Sequence, residues 1–141
     1  MKKLTLYPRM GDSNVRHIES IINISLSEDF KDFLKANAGL SHYERYFFDK
    51  DKTQWEVQKY LSYPELFKIE EELFIDYHRK LVPFAYDPGG WHFCLSFDKD
   101  TYGKIIINRW TDHLPEEQFL VIADTFEEFI NGLKTEEEAF S

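Results

Sequence analysis

The sequence predicts a single α+β domain in which helices pack on one face of an antiparallel sheet of about five or six strands. Three runs of alternating apolar and polar residues between positions 81 and 110, joined by short turns, are typical of an antiparallel meander. Other stretches place apolar residues at helical spacing between start and stop signals. With 141 residues, 17% of them aromatic, the chain can bury a core without a disulfide or a structural metal.

A leader and two helices are expected first. Residues 1–14 are polar and are interrupted by a proline and a glycine, which indicates a strand or loop. Residues 15–24 repeat apolar side chains at helical spacing and predict the first helix. The second helix should begin after Ser27, whose hydroxyl can cap its first turn, and end at Gly39. The apolar face of this helix consists of Phe30, Phe33 and Leu34.

A strand pair and a third helix follow. Residues 43–48 and 55–61 are rich in strand-forming residues and predict the first two strands of the sheet, joined by the charged turn 49–52. Residues 62–77 return to helical spacing and open with the S-x-x-E pattern of a capping box. The apolar stripe of this helix comprises Leu66, Phe67, Ile69, Leu73 and Phe74. Its glutamates, including Glu70, are expected to be solvated.

The meander consists of predicted strands at 81–84, 91–97 and 104–110. Gly89 and Gly90 suit the tight turn before the middle strand. Alternate residues of the middle strand are expected to pack against helices, namely Trp91, Phe93, Leu95 and Phe97. The opposite face should be at least partly reachable by solvent, and it carries His92, Cys94 and Ser96.

The C-terminal part predicts a last strand at 119–124 and a helix that opens at Asp124 or Thr125. The helix aligns Phe126, Phe129, Ile130 and Leu133. Residues 134–141 are acidic and are expected to fray. No repeat or linker divides the chain, which predicts one domain over 1–141 with its core at 15–133.

The charge balance is acidic, with 17 Lys and Arg against 26 Asp and Glu and a net charge of −9. Such a field repels nucleic acid phosphates and anionic lipid and attracts basic proteins, so neither nucleic acid nor membrane is an expected partner. The single cysteine, Cys94, favours a reducing compartment, and no segment has the length of a signal peptide core or a membrane span. A cytoplasmic location is therefore expected.

Four segments, taken in order, carry a family resemblance: LSEDFKDFLKANAGL, LVPFAYDPGGWHFCLSF, GKIIINRW and ADTFEEFINGL. With these segments the chain resembles the SUKH superfamily, which contains bacterial immunity proteins and fungal Knr-type cell-wall regulators. The resemblance extends over most of the chain between Val15 and Leu133. It departs from the family pattern at Ser27, where proline is more common before the acidic pair, and at Trp91, where a polar residue commonly follows the glycines.

The resemblance implies an antitoxin that binds a cognate toxin domain inside the producing cell and blocks it without catalysis. Members of the superfamily are associated with diverse toxins, prominently nucleases. The acidic composition agrees with this, because a nuclease presents a basic surface to phosphates. The fungal relatives imply a different role, that of a regulatory or scaffold module with no toxin partner. No cofactor is implied by either role, and a monomer is expected.

Partner contacts are expected around the open face of the sheet and its turns, where acidic residues and aromatic anchors occur together. The candidate partner-binding residues are Asp49, Asp51, Tyr86, Asp87, Trp91, His92, Trp110, Asp112 and Glu116. Trp91 has a second interpretation as a core residue, because it alternates with apolar side chains.

Catalysis and metal binding are the competing hypotheses. Cys94 could act as a nucleophile with His92, His78 or His113 as base and Asp87 as the orienting group. His92 and Cys94 could instead bind a metal together with His113. Neither pattern is specific, and residues two apart on one strand are poorly placed for proton transfer. The sequence therefore predicts neither an enzyme nor a metal site.

Overall fold

The computed structural model describes residues 9–141, and residues 1–8 of the predicted leader lie outside that range. The rest of the leader prediction is wrong for residues 12–14, which belong to helix α1 (Asp12–Ile22). The Asn14 side chain accepts the Gly11 N–H at 2.9 Å and so fixes the first turn of α1 three residues earlier than predicted. The buried side of α1 consists of Val15, Ile18 and Ile22, as the spacing predicted.

Helix α2 (Glu28–Asn37) has the boundaries that its capping residues predicted. The Ser27 hydroxyl accepts the Phe30 N–H at 3.2 Å, and Gly39 turns the chain away with a φ of +78°. Phe30 and Leu34 are buried, and the Phe30 ring packs edge-on against Phe84 and Phe126. These contacts join α2 to the sheet and to the helix Phe126–Asn131.

The structure corrects the predicted pairing of the first two strands. Strands β1 (Tyr46–Phe48) and β2 (Gln54–Glu56) form a separate two-stranded sheet, and β3 (Lys59–Tyr60) is the first strand of the main sheet. The run 55–61 is divided because the Val57 N–H donates to Arg45 at 2.7 Å, whereas the Gln58 N–H donates to Tyr86 at 2.8 Å. One extended segment therefore contributes a strand to each of the two sheets.

Helix α3 (Tyr63–Tyr77) begins with the predicted capping box, in which Ser62 accepts the Glu65 N–H and Glu65 accepts the Ser62 N–H. It leads into the predicted meander, which is confirmed. The strands are β4 (Leu81–Tyr86), β5 (His92–Ser96) and β6 (Ile105–Asn108), followed by β7 (Phe119–Ala123). The main sheet has the order β3-β4-β5-β6-β7, and every neighbouring pair is antiparallel.

Helices cover both faces of this sheet rather than one. Phe93 of β5 belongs to the larger core, which contains side chains of α1, α2 and the helix Phe126–Asn131. Cys94 points to the opposite face, where it joins Leu73 of α3, Leu81 and Ile106 in a second cluster. Cys94 and Ser96 have no exposed surface, so the expectation that this face is open to solvent is wrong for both residues.

The C-terminal segment contains α4 (Phe126–Asn131) and α5 (Glu136–Phe140). Thr125 caps α4, as predicted. The acidic tail contains a helix that was not predicted, since α5 opens with a capping box and the Phe140 ring lies 5.1 Å from that of Tyr46. Between residues 9 and 141, no helix has both the length and the apolar character that crossing a bilayer requires.

Candidate functional site

Six of the nine candidate residues come together at one end of the meander. The β4–β5 turn lies beside a single 3₁₀ turn (Trp110–Asp112) that follows β6. We call the region formed there the tryptophan face, and it consists of Tyr86, Asp87, Trp91, His92, Trp110 and Asp112, together with His113. Trp91 packs against the larger core and Trp110 against the second cluster, so the two indoles reach this end of the meander from opposite sides of the sheet. The antiparallel register creates this proximity, since His92 is paired with both Tyr86 and Asn108.

Trp91 is held against the 3₁₀ turn by its indole nitrogen. Trp91 Nε1 donates to Asp112 Oδ2 at 2.6 Å, and the ring of His113 meets the indole edge-on at 5.4 Å. The buried Trp55 packs against this indole, with 6.3 Å between the two ring centroids. Trp91 is half-buried, so the structure gives it a supported position with part of the ring in solvent.

Trp110 is fixed by a second indole bond. Its Nε1 donates to His92 Nδ1 at 3.0 Å, and its backbone N–H donates to Asn108 Oδ1 at 2.9 Å. This arrangement requires an unprotonated Nδ1 on His92. Burial favours that state, because desolvation lowers the pKa of His92 to about 4. Trp110 also has a φ of +53°, in the left-handed region that non-glycine residues seldom occupy.

Asp87 shapes the β4–β5 turn. Its Oδ1 accepts the backbone N–H groups of Gly89 at 2.9 Å and Trp91 at 2.8 Å, and Gly90 occupies a φ of +91°. A strand follows the two glycines, as expected for a tight turn rather than a phosphate cradle. Asp87 therefore fixes the backbone that carries Trp91.

The three remaining candidates lie apart from the tryptophan face. Asp49 has an internal structural role, since its carboxylate accepts the N–H groups of Asp51 and Thr53 at 2.9 Å and the indole N–H of Trp55 at 3.0 Å. Asp51 is exposed at the tip of the β1–β2 turn, and Glu116 is exposed in the 3₁₀ turn Pro115–Glu117. Trp55 is the link between the β1–β2 turn and the tryptophan face.

The catalytic hypothesis finds no suitable geometry. Cys94 is fully buried, and burial raises the pKa of its thiol well above the ordinary value, so a reactive thiolate is disfavoured. Cys94 Sγ donates to the His92 carbonyl oxygen at 3.8 Å rather than to an imidazole, and His92 Nδ1 accepts the Trp110 indole N–H. His78 terminates α3, and His113 packs on Trp91.

The metal hypothesis finds no support either. In the part of the chain from residue 9 onward, no three His, Cys, Asp or Glu side chains are placed to share a metal ion.

Two buried polar features were not predicted. Glu70 was expected on the surface, but it is fully buried with both carboxylate oxygens unpartnered among residues 9–141. Desolvation, with a smaller contribution from Glu71, raises its pKa to about 9, so it is neutral at pH 7. Gln118 is also buried, and it donates to Asn108 Oδ1 at 2.9 Å next to the tryptophan face. Glu70 lies four residues after Leu66 and three before Leu73, so it shares their side of the helix, and this spacing could have predicted its burial.

Comparisons with known proteins agree with this architecture. Residues 12–130 match the family model SUKH_6, described as SMI1-KNR4 cell-wall. The chain is also 25% identical to the SPbeta prophage-derived uncharacterized protein YokK of Bacillus subtilis (strain 168), in an alignment that covers 92% of this chain and 78% of YokK. The range matched by the family model contains the seven strands found among residues 9–141 and the whole tryptophan face.

Proposed function

The chain belongs to the SMI1-KNR4 family of the SUKH superfamily, and we propose that it is a cytoplasmic immunity protein. In this proposal one copy binds one basic toxin domain, with nucleases the favoured class, and occludes its active surface without catalysis or a cofactor. The superfamily includes immunity proteins, which supplies the premise. An occluding contact of this kind buries about 800 Å² on each partner.

The tryptophan face is the observation that carries the proposal. Trp91 and Trp110 both have their indole N–H groups bonded within the protein, to Asp112 and His92, so a partner meets rings already held in place. Fixing such side chains before binding lowers the entropy that association removes. Tryptophans in defined pockets are also the residues that most often dominate interface energies.

The charge distribution supports a basic partner. The net charge of −9 steers a cationic protein toward the chain at long range, and Asp112 places a carboxylate directly beside Trp91. An inhibitor with such a surface competes with the phosphates that a nuclease must bind. Binding should therefore weaken as salt concentration rises.

The test is calorimetric titration of the protein into the toxin domain encoded beside its gene, at two salt concentrations. We expect tight one-to-one binding that weakens with salt and abolishes toxic activity. Asp112→Asn should weaken binding by about tenfold, because it removes one charge but keeps an acceptor for Trp91. Glu137→Gln is the matched control, since it removes the same charge from the exposed tail helix and should change affinity by less than about twofold.

A second pair of variants tests the aromatic anchor. Trp91→Ala should weaken binding by roughly 30-fold or more. Tyr102→Ala is its control, because Tyr102 is 66% exposed and belongs to the turn between β5 and β6. If Asp112→Asn and Trp91→Ala both bind with the affinity of the wild type, the interface lies elsewhere on the protein. Absence of wild-type binding would contradict the immunity proposal.

The competing function is a regulatory or scaffold role, and the family description as cell-wall proteins is the observation that favours it. In that case the tryptophan face binds a cellular protein rather than a toxin. Co-expression decides between the two functions, since only an immunity protein relieves the growth arrest caused by the toxin domain. Lack of relief, together with lack of binding, would favour the scaffold role.

A further inference from the structure

Among residues 9–141, strand β7 has a strand neighbour on one side only, and its other backbone edge faces a groove. Five consecutive residues, 120–124, line this groove, and the β1–β2 turn (49–53) forms its opposite wall. Successive side chains of a strand point to opposite faces, so a groove lined by consecutive residues follows the edge of the strand rather than one face. β7 is also the last strand in the order of the main sheet.

The register identifies the backbone groups on that edge. The Arg109 N–H donates to the Gln118 carbonyl at 2.8 Å, and hydrogen-bonded pairs alternate along an antiparallel ladder. Ile107 and Leu120 are therefore the next bonded pair, and the N–H and C=O groups of Phe119 and Val121 point away from β6. Between residues 9 and 141, no hydrogen bond ends on these outward groups.

The strand itself contains none of the residues that usually protect an edge, and its only cover among residues 9–141 is the β1–β2 turn, from which Lys50 bonds to Asp124. The β7 sequence FLVIA contains no charge, proline or glycine, and the Val121 side chain is 39% exposed. The irregularity in the β6–β7 register lies at the far end, opposite Ile105 and Ile106, so Phe119 and Val121 remain regular. An unprotected apolar edge of this kind is a template for an added strand.

The surrounding charge selects the occupant. Carboxylates of Asp49, Asp51 and Asp124 line the groove, and the backbone of Arg109 bonds to Asp112 at one end, next to the tryptophan face. Lys50 and Arg109 also line the groove, so its lining has three carboxylates against two cations, and Lys50 and Lys104 both pair with Asp124. A second copy of this chain would bring another net charge of −9 against the same edge, whereas a basic segment would be attracted.

We propose that β7 binds an extended, lysine- or arginine-rich segment of a partner protein, which adds a sixth strand to the sheet beside Phe119 and Val121. The identity of that partner as a toxin domain rests on the proposed function. Backbone hydrogen bonds to the edge provide the binding, and the carboxylates of the β1–β2 turn select for basic side chains. The tryptophan face and this edge then form one continuous interface through Trp55 and Arg109.

The first experiment is amide hydrogen exchange of the wild-type protein with and without the toxin domain encoded beside its gene. Binding should slow exchange of the Phe119 and Val121 amides by about tenfold or more, because both become bonded. The Leu120 amide is the internal control, since the ladder to Ile107 protects it in both states. Binding without slower exchange at Phe119 and Val121 would overturn the edge proposal and leave the immunity function standing.

A variant pair isolates the backbone. Val121→Pro removes only an outward N–H, so β6–β7 pairing is retained, and it should weaken binding by about tenfold. Val121→Thr keeps the N–H and should bind within about twofold of the wild type. Thermal unfolding reports whether each variant is folded, and the exchange experiment decides the question if Val121→Pro is not. Equal loss in both variants would indicate a side-chain contact and contradict strand addition.

A peptide arm separates this proposal from the proposed function. An alternating Lys-Thr peptide at millimolar concentration should shift the NMR signals of β7 and the β1–β2 turn, whereas an N-methylated Lys-Thr peptide and an alternating Glu-Thr peptide should not. If the toxin domain does not bind but the Lys-Thr peptide does, the edge proposal survives without the immunity function. If neither binds, both are wrong.

Discussion

Glu70 makes the unfolding free energy of this protein depend on pH in a way that one substitution can remove. The carboxyl group is fully buried without a partner among residues 9–141, and desolvation raises its pKa from the ordinary 4.5 to about 9. Between these two values the unfolded chain releases a proton that the folded protein keeps. Each pH unit in this window therefore lowers the stability of the fold by 1.36 kcal/mol.

From pH 5 to pH 8 the loss attributable to Glu70 amounts to 3 × 1.36, or about 4 kcal/mol. Glu70→Gln keeps the size of the side chain but cannot ionise, so its own cost is constant with pH. We expect the difference in unfolding free energy between Glu70→Gln and the wild type to grow steadily in favour of the variant as the pH rises from 5 to 8. Below pH 4.5 the difference should become constant, because the carboxyl is then neutral in both states.

The assay is urea unfolding followed by tryptophan fluorescence across this pH range. Glu72→Gln is the matched control, since Glu72 lies on the exposed side of the same helix and its removal should leave the pH dependence of the wild type unchanged. Parallel pH profiles for Glu70→Gln and the wild type would refute the reasoning. Such a result would mean that Glu70 is ionised and solvated in the folded protein.

Two further predictions concern His92 and the second cluster. In an NMR titration, His92 should have a midpoint near pH 4 rather than 6.5, because burial lowers its pKa and its Nδ1 accepts the Trp110 indole N–H. The fold should then lose stability as the pH falls from 6.5 through 4, since the unfolded chain takes up a proton that folded His92 does not. A titration midpoint near pH 6.5 would contradict this. Leu73→Ala should cost about 2–5 kcal/mol in urea unfolding, whereas Ile75→Ala, at a side chain 68% exposed, should cost less than about 0.5 kcal/mol. Similar losses for these two variants would contradict the placement of α3 over Cys94.

Local signals predicted the elements whose ends are fixed by nearby side chains. Ser27 and the Ser62–Glu65 box start their helices where the sequence pattern placed them, because each cap bonds within three residues. The same signal was present at Thr135 and Glu138 and predicts α5, which the acidic composition of the tail obscured. Capping residues close in sequence were thus sufficient to predict where helices begin, provided that they were given more weight than composition.

Long-range pairing could not be derived in the same way. The segment 55–61 has one uniform strand pattern, yet its hydrogen bonds change partner between Val57 and Gln58, from Arg45 to Tyr86. Nothing in the pattern specifies such an exchange, since it depends on where distant strands lie. The candidate site has the same origin, because the bond between Trp91 and Asp112 joins residues 21 positions apart. The sequence predicted which residue types matter but not which of them meet.

The backbone at Trp110 is held in an uncommon conformation by specific hydrogen bonds. A φ of +53° costs a non-glycine residue about 1–2 kcal/mol, and glycine or asparagine would avoid most of that cost. Here it is offset by bonds from Trp110 to Asn108 Oδ1 and His92 Nδ1, and Gln118 holds the same Asn108 oxygen from the buried side. Under the proposed function, an interface that presents a rigid aromatic surface to its partner requires an indole fixed in this way, and this is the physical reason to test Trp110 and Trp91 as binding residues before any others.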